Sequence, residues 1–200
     1  MKVDIKANTI GKNYVVKKMT IKNVKKLYGV NPDSIDHRIK VFLASSKELE
    51  EDRRAFETIL ARLNDDFIKQ HIYIELVIWE KFLDTVALGG LQKEYNKAIR
   101  KCDIFVMLFS TKVGEYTLEE FEVAFSNFKK KGKPLIFVYS REISSKLESA
   151  DKYFKSAELF KERLGSIGHY YTSYKNTENL LFHFSNQLKK IELHKLSQKK

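Results

Sequence analysis

Short, almost wholly apolar runs punctuate this chain, and amphipathic segments separate them. The runs are Ile39–Ala44, Ile72–Trp79, Ile104–Phe109 and Leu135–Tyr139. Runs this short, bounded by polar turns, predict strands buried on both faces of a parallel sheet. The segments between them carry apolar residues at helical spacing. Leu49, Phe56, Ile59, Leu60, Leu63 and Phe67 follow the first run, and Phe121, Ala124, Phe125 and Phe128 follow the third. Further helices are expected over Leu91–Arg100, over about Lys152–Leu164 and from about Thr177, with a short strand around His169–Thr172. This alternation predicts an α/β three-layer sandwich, with helices on both faces of a central five-stranded parallel sheet. The flavodoxin-like strand order 2-1-3-4-5 suits a sheet of that size. It puts a binding crevice where the order reverses, between the carboxyl ends of the first and third strands.

Composition narrows what such a sheet can be. At 200 residues, with 43% hydrophobic and 12% aromatic residues, the chain can bury a sizeable core and is not of the disordered type. The single cysteine, Cys102, has no partner for a disulfide, which fits a reducing, cytoplasmic compartment. No long apolar stretch follows Lys2, so no signal peptide is expected. No segment nears the roughly 20 apolar residues of a membrane span. A soluble protein without membrane contact is the expectation.

The net charge of +11 is concentrated near the two ends: residues 1–36 contribute +5 and residues 190–200 contribute +3. These tails lack the Arg clusters and interleaved aromatics that read bases, so they are taken as solvated rather than as a nucleic-acid surface. Residues 1–36 read as a basic arm with one or two short strands, available to a sheet edge or a protein partner. Residues 37–196 read as the α/β domain and residues 197–200 as a basic tail.

Phosphate-cradling loops of the G-x-x-x-x-G-K-[ST] and G-x-G-x-x-G types are absent, as is G-x-S-x-G. The five histidines show no ligand spacing, so no metal site is expected. Carboxylate chemistry in the crevice remains. The stretch Asp103–Glu122 places the Ser110–Tyr116 loop and an acidic helix start there. Thr117-Leu118-Glu119-Glu120 fits a capping box, with Thr117 as cap. Glu120 also lies one turn before Ala124, on the edge of the apolar face, whereas Glu119 and Glu122 project toward solvent. Its role is therefore either capping or chemistry. Ser45-Ser46-Lys47-Glu48 is likewise either a capping box, with Ser45 as cap and Glu48 reaching back, or a pair of ligand hydroxyls. Trp79 and Glu80 end the second strand and could sandwich a base or ribose, or Trp79 could pack in the core. Tyr95 and Asn96 either contact ligand or make surface hydrogen bonds.

Four stretches, R-I-K-V-F-L-A-S-S-K-E-L-E-E-D-R-R, L-V-I-W-E-K-F-L-D, L-Q-K-E-Y-N-K-A-I and D-I-F-V-M-L-F-S-T-K-V-G-E-Y-T-L-E-E-F-E-V-A-F, resemble a bacterial TIR-like (Toll/interleukin-1 receptor homology) domain of the defence or signalling type. The resemblance covers about residues 38–190 and includes G-H-Y-Y-T-S-Y-K-N-T-E-N-L. It implies an NAD⁺ glycohydrolase or cyclase that cleaves the nicotinamide–ribose bond, with NAD⁺ as substrate and no further cofactor. It also implies self-association and a role as an effector of antiviral defence. Tyr116, four positions before Glu120, matches the aromatic that precedes the family's catalytic Glu. Ser45 and Ser46 match positions lining the same pocket, and Ser110 opens the facing loop. The chain departs from familiar TIR domains at Lys81–Gly90, which lacks their proline-containing loop. Two alternatives stand beside this expectation. One is a nucleoside deoxyribosyltransferase-like enzyme, which also cleaves an N-glycosidic bond beside a Glu. The other is a non-catalytic interaction scaffold.

Overall fold

A computed structural model describes residues 34–78, 90–142 and 152–196, together with Gly29 and Asn31. Most of the arm (residues 1–36), the segment 79–89 that includes Trp79 and Glu80, and the tail 197–200 lie outside the described residues. The described chain alternates strand and helix. β1 (His37–Ser45) leads through a 3₁₀ turn at Lys47–Leu49 into α1 (Glu50–Phe67), and β2 (Ile72–Val77) follows. α2 (Leu91–Ile99), β3 (Ile104–Phe109), α3 (Glu115–Lys131) and β4 (Leu135–Arg141) come next. α4 (Lys152–Ser166), β5 (Thr172–Tyr174), α5 (Thr177–Lys190) and the short α6 (Leu193–Leu196) complete it.

The five strands form one all-parallel sheet in the order β2-β1-β3-β4-β5. β3 lies at its centre, paired to β1 from Val41↔Ile104 and to β4 from Ile104↔Leu135. All six of its residues are buried, which is why its sequence is an unbroken apolar run. Its side chains alternate between two cores. Ile104, Val106 and Leu108 pack with Phe56 and Leu60 of α1 and Leu180 and Phe184 of α5. Phe105, Met107 and Phe109 pack with Ile99 of α2, Phe121 and Phe125 of α3, and Phe160 of α4. Helices thus cover both faces, as the strand–helix alternation requires.

Two local expectations are corrected. The Ser45–Glu48 capping box does not form: β1 continues through Ser45, and the 3₁₀ turn after Ser46 has no side-chain cap bond. Ser45 Oγ instead accepts from Arg53 Nη1 at 2.8 Å, and Glu48 turns to Lys112 at 3.4 Å. The last strand lies at Thr172–Tyr174 rather than around His169–Thr172, because Tyr174 is the residue that inserts into the core.

Polar side chains inside the core fasten the helices to the sheet. Asn64 of α1 accepts from the Ile74 backbone N–H and donates to the Ile74 carbonyl, both at 2.8 Å. It thereby satisfies two backbone groups of β2, the strand at one end of the sheet. Asn64→Ala orphans both, so a loss of about 2 kcal/mol is expected in urea unfolding. A loss below about 0.5 kcal/mol would mean that water or a neighbour replaces the amide.

Candidate active site

The carboxyl ends of β1 and β3 diverge where the strand order reverses, and a cavity of about 660 Å³ opens there. That volume is in the range of small-molecule sites, about 300–1,000 Å³. Ser45, Ser46 and Lys47 form one wall, Gly90 to Gln92 and Tyr95 of the α2 start another, and Lys112, Gly114, Tyr116, Thr117 and Glu120 the third. The two loops are tied across the opening: Glu48 meets Lys112 at 3.4 Å and accepts from Thr111 Oγ1 at 3.4 Å.

α3 starts earlier than its Thr117-x-x-Glu120 signature suggests. Gly114, extended at φ −71° and ψ 156°, is the N-cap, and its carbonyl accepts the first helical bond from Leu118 N at 2.9 Å. Thr117 is therefore a buried residue within the first turn and Glu120 lies a turn further in. A capping box cannot form from those positions, which removes the capping explanation for Glu120.

Glu120 lines the cavity and is only 7% exposed. Among the described residues its carboxylate has no hydrogen-bond or ion-pair partner. Burial, with a smaller contribution from the neighbouring Glu119 charge, pushes its pKa up to about 8. An unpaired carboxyl in a cleft with its titration moved toward neutrality is a recognised mark of a functional group. A second polar atom in the wall, Ser46 Oγ, is also buried without a partner among the described residues.

Ser45, Ser46, Tyr95, Tyr116 and Glu120 are brought together around this cavity. Tyr116 stands at its rim, 70% exposed. Asn96 and Ser110 are directed elsewhere. Asn96 Nδ2 donates to Glu119 Oε1 at 2.7 Å, and Ser110 Oγ donates to the Arg141 carbonyl at 3.3 Å, so neither lines the cavity. Cys102 is not a rival nucleophile: burial and, secondarily, Asp103 push its thiol up to about 12.

Lys47 and Lys112 line the cavity although the sequence did not single them out. The support beneath its rim was not singled out either. Arg53 is 2% exposed and its Nη1 donates to Ser45 Oγ at 2.8 Å and to the Ser46 carbonyl at 2.9 Å. The signal was present, since Arg53 falls at helical spacing within the Leu49–Phe56–Leu60 stripe. Asp52 beside it is fully buried and accepts from Arg141, Tyr174 and Thr177.

A protein-family model described as "Domain of unknown function (DUF4062)" matches residues 40–192. No curated protein matches the chain. Among solved structures it is similar to the CMP N-glycosidase BcmB of Clostridium botulinum, at 16% identity and a TM-score of 0.46 over 74% of this chain and 98% of that one. It is similar to a conserved protein from Enterococcus faecalis V583, at 16% identity and a TM-score of 0.44 over 75% of this chain and 99% of that one. A TIR domain heterodimer, RPS4 and RRS1, is similar at 15% identity and a TM-score of 0.44, over 78% of this chain and 98% of that one. Likenesses this distant bear on no residue's role.

Proposed function

The chain belongs to the DUF4062 family, a domain of unknown function, and we propose that it is a TIR-like enzyme that cleaves the nicotinamide–ribose bond of NAD⁺. One observation carries this reading: Glu120 is a buried carboxyl, unpaired among the described residues, in the wall of a nucleotide-sized cavity at the sheet's switch point. N-glycosidic cleavage passes through an oxocarbenium-like transition state, and a carboxylate beside C1′ stabilises the positive charge that develops. Nicotinamide departs as a neutral molecule and takes the bonding pair with it, so no proton donor is required. Water then adds to C1′ and loses a proton, giving ADP-ribose, or an internal nucleophile closes a cyclic product.

The other lining groups suit the same substrate. In this reading the Ser45 hydroxyl meets a ribose hydroxyl, Ser46, whose Oγ is buried, shapes the wall behind it, and Tyr95 and Tyr116 flank a flat ring. Lys47 and Lys112 offer positive charge to the phosphates. The TIR resemblance adds an effector role in bacterial defence, through NAD⁺ depletion or a nucleotide signal, with activity dependent on self-association.

The elevated titration of Glu120 also favours a second reading. Protonated at neutral pH, the carboxyl could donate to a departing nucleobase, as in a deoxyribosyltransferase-like reaction. The two readings have opposite pH dependence. If the anion is required, kcat/KM for NAD⁺ climbs with pH and levels off above about 8, the free-protein pKa of Glu120. If the acid is required, kcat/KM for deoxynucleosides falls through the same range. Steady-state assays with both substrates from about pH 6 to 9 separate them around that midpoint. Turnover of deoxynucleosides alone would replace the NAD⁺ reading, and turnover of neither by concentrated protein would leave the scaffold.

A further inference from the structure

The end of the sheet opposite the cavity carries a different kind of surface. α3 finishes there with Lys129, Lys130 and Lys131, and Gly132 (φ 70°) closes the helix. Asn127 Nδ2 donates to the Arg100 carbonyl at 3.4 Å and to the Lys133 carbonyl at 3.1 Å, which draws the Arg100–Lys101 turn against that helix end. On the other flank His169 packs edge-on against Phe125 and Phe128, with ring centroids 5.7 and 6.3 Å apart. Tyr170 follows it and is 89% exposed, while Lys129 lies over the Phe125 ring at 4.8 Å.

Helix dipoles favour cations at carboxyl ends, but only weakly for exposed charges, and they do not require an aromatic beside them. Several cations elsewhere are neutralised: Arg54 by Glu50, Lys97 by Glu94, Lys112 by Glu48, Arg163 by Glu122. Here no carboxylate among the described residues pairs with Arg100, Lys101, Lys129, Lys130 or Lys131, all of which are exposed. β1 starts and α6 ends at this same end, with the His37 and His194 rings 6.4 Å apart and Lys133 Nζ bonded to the Leu196 carbonyl. The lysine-rich residues 1–36 and 197–200 therefore join the domain here. The fold adds an exposed aromatic, Tyr170, beside these cations.

We propose that this end of the domain binds single-stranded nucleic acid. These cations track the phosphates and Tyr170 stacks on a base, a combination that tolerates any sequence. The site is independent of the glycosidase reading, since it shares no residue with the cavity.

Fluorescence anisotropy with the whole chain and a labelled oligouridylate, long enough to cover a site of roughly 4–16 nucleotides, tests this across a salt series. Wild type is expected to bind with an affinity that falls linearly in log salt. K129E/K130E/K131E is expected to bind at least about tenfold more weakly, and its salt slope to shrink by about 2, the product of three phosphate contacts and the single-strand coefficient near 0.7. Tyr170→Ala is expected to weaken binding about fivefold or more with an unchanged slope, because stacking releases no counterions. All of these positions are exposed, and thermal melts check that the variants fold. Wild-type affinity in the triple variant overturns the proposal. So does an unaltered affinity in Tyr170→Ala, which would describe a mere polyanion attraction. Capture by phosphatidylserine vesicles with no binding of the oligonucleotide would overturn it in favour of a membrane surface.

Discussion

Glu120→Gln is expected to lose about two orders of magnitude or more of NAD⁺ turnover while folding at least as well as wild type. The amide keeps the shape of the carboxyl but cannot become an anion. The stability side follows from the carboxyl's raised pKa. Below about pH 4.5 it is protonated both folded and unfolded, and contributes no penalty. Between about 4.5 and 8 the unfolded chain releases its proton and the folded chain keeps it, so folding stability drops steadily as pH rises. Above about 8 both states are ionised and the full cost, at most about 5 kcal/mol, is present. Glu120→Gln removes that dependence. Its melting temperature should match wild type in acid and exceed it at about pH 8 and above. A variant that turns over normally refutes a chemical role. A variant that loses turnover because it unfolds would show that the buried carboxyl is structural.

Asp52→Ala is expected to have the largest effect on stability, about 3–5 kcal/mol. Asp52 is 0% exposed, and its two oxygens accept from Arg141 Nη1 at 3.0 Å, Tyr174 Oη at 3.0 Å and Thr177 Oγ1 at 2.9 Å. Those donors come from β4, β5 and the first turn of α5, so one carboxylate of α1 holds three later elements. Truncation leaves a guanidinium and two hydroxyls without their acceptor, and each retains its desolvation cost. Urea unfolding with an unchanged m-value reads the loss directly. Asp52→Asn keeps one acceptor oxygen and should lose roughly half as much. A loss below about 1 kcal/mol in the alanine variant would show that the network is not a fastening at all.

The parts of this fold that could be read from sequence are those governed by periodicity. The run Ile104–Phe109 is apolar at every position because β3 is buried on both faces, and the structure ends it at the same residues. The parallel order followed from the repeated strand–helix crossovers, and it carried Ser45, Tyr116 and Glu120 to one cavity. Local hydrogen-bond signatures were less informative, since tertiary contacts compete for the same side chains. Ser45 resembles a cap yet serves Arg53, and Thr117 resembles a cap yet lies inside a helix that Gly114 begins. Asn96 and Ser110 were drawn off in the same way, by Glu119 and by the Arg141 backbone. Asp52 and Arg53 were passed over because an apolar stripe directs attention to its apolar members, although a charge within that stripe must be paired inside the core. Trp79 and Glu80 lie outside the described residues and keep only their sequence-based expectation.

The central claim is that Glu120, unpaired among the described residues, faces the cationic nicotinamide ring of a nucleotide. Carbon-13 carboxyl NMR, assigned by comparison with Glu120→Gln, follows that group alone. It should titrate near pH 8 in the free protein. With a carbocyclic NAD⁺ analogue bound, whose pyridinium cannot be cleaved off, the midpoint should fall by a unit or more, because a nearby cation favours the anion by about 1.4 kcal/mol per unit. A midpoint at the ordinary value of 4.5, unmoved by the analogue, would contradict the account.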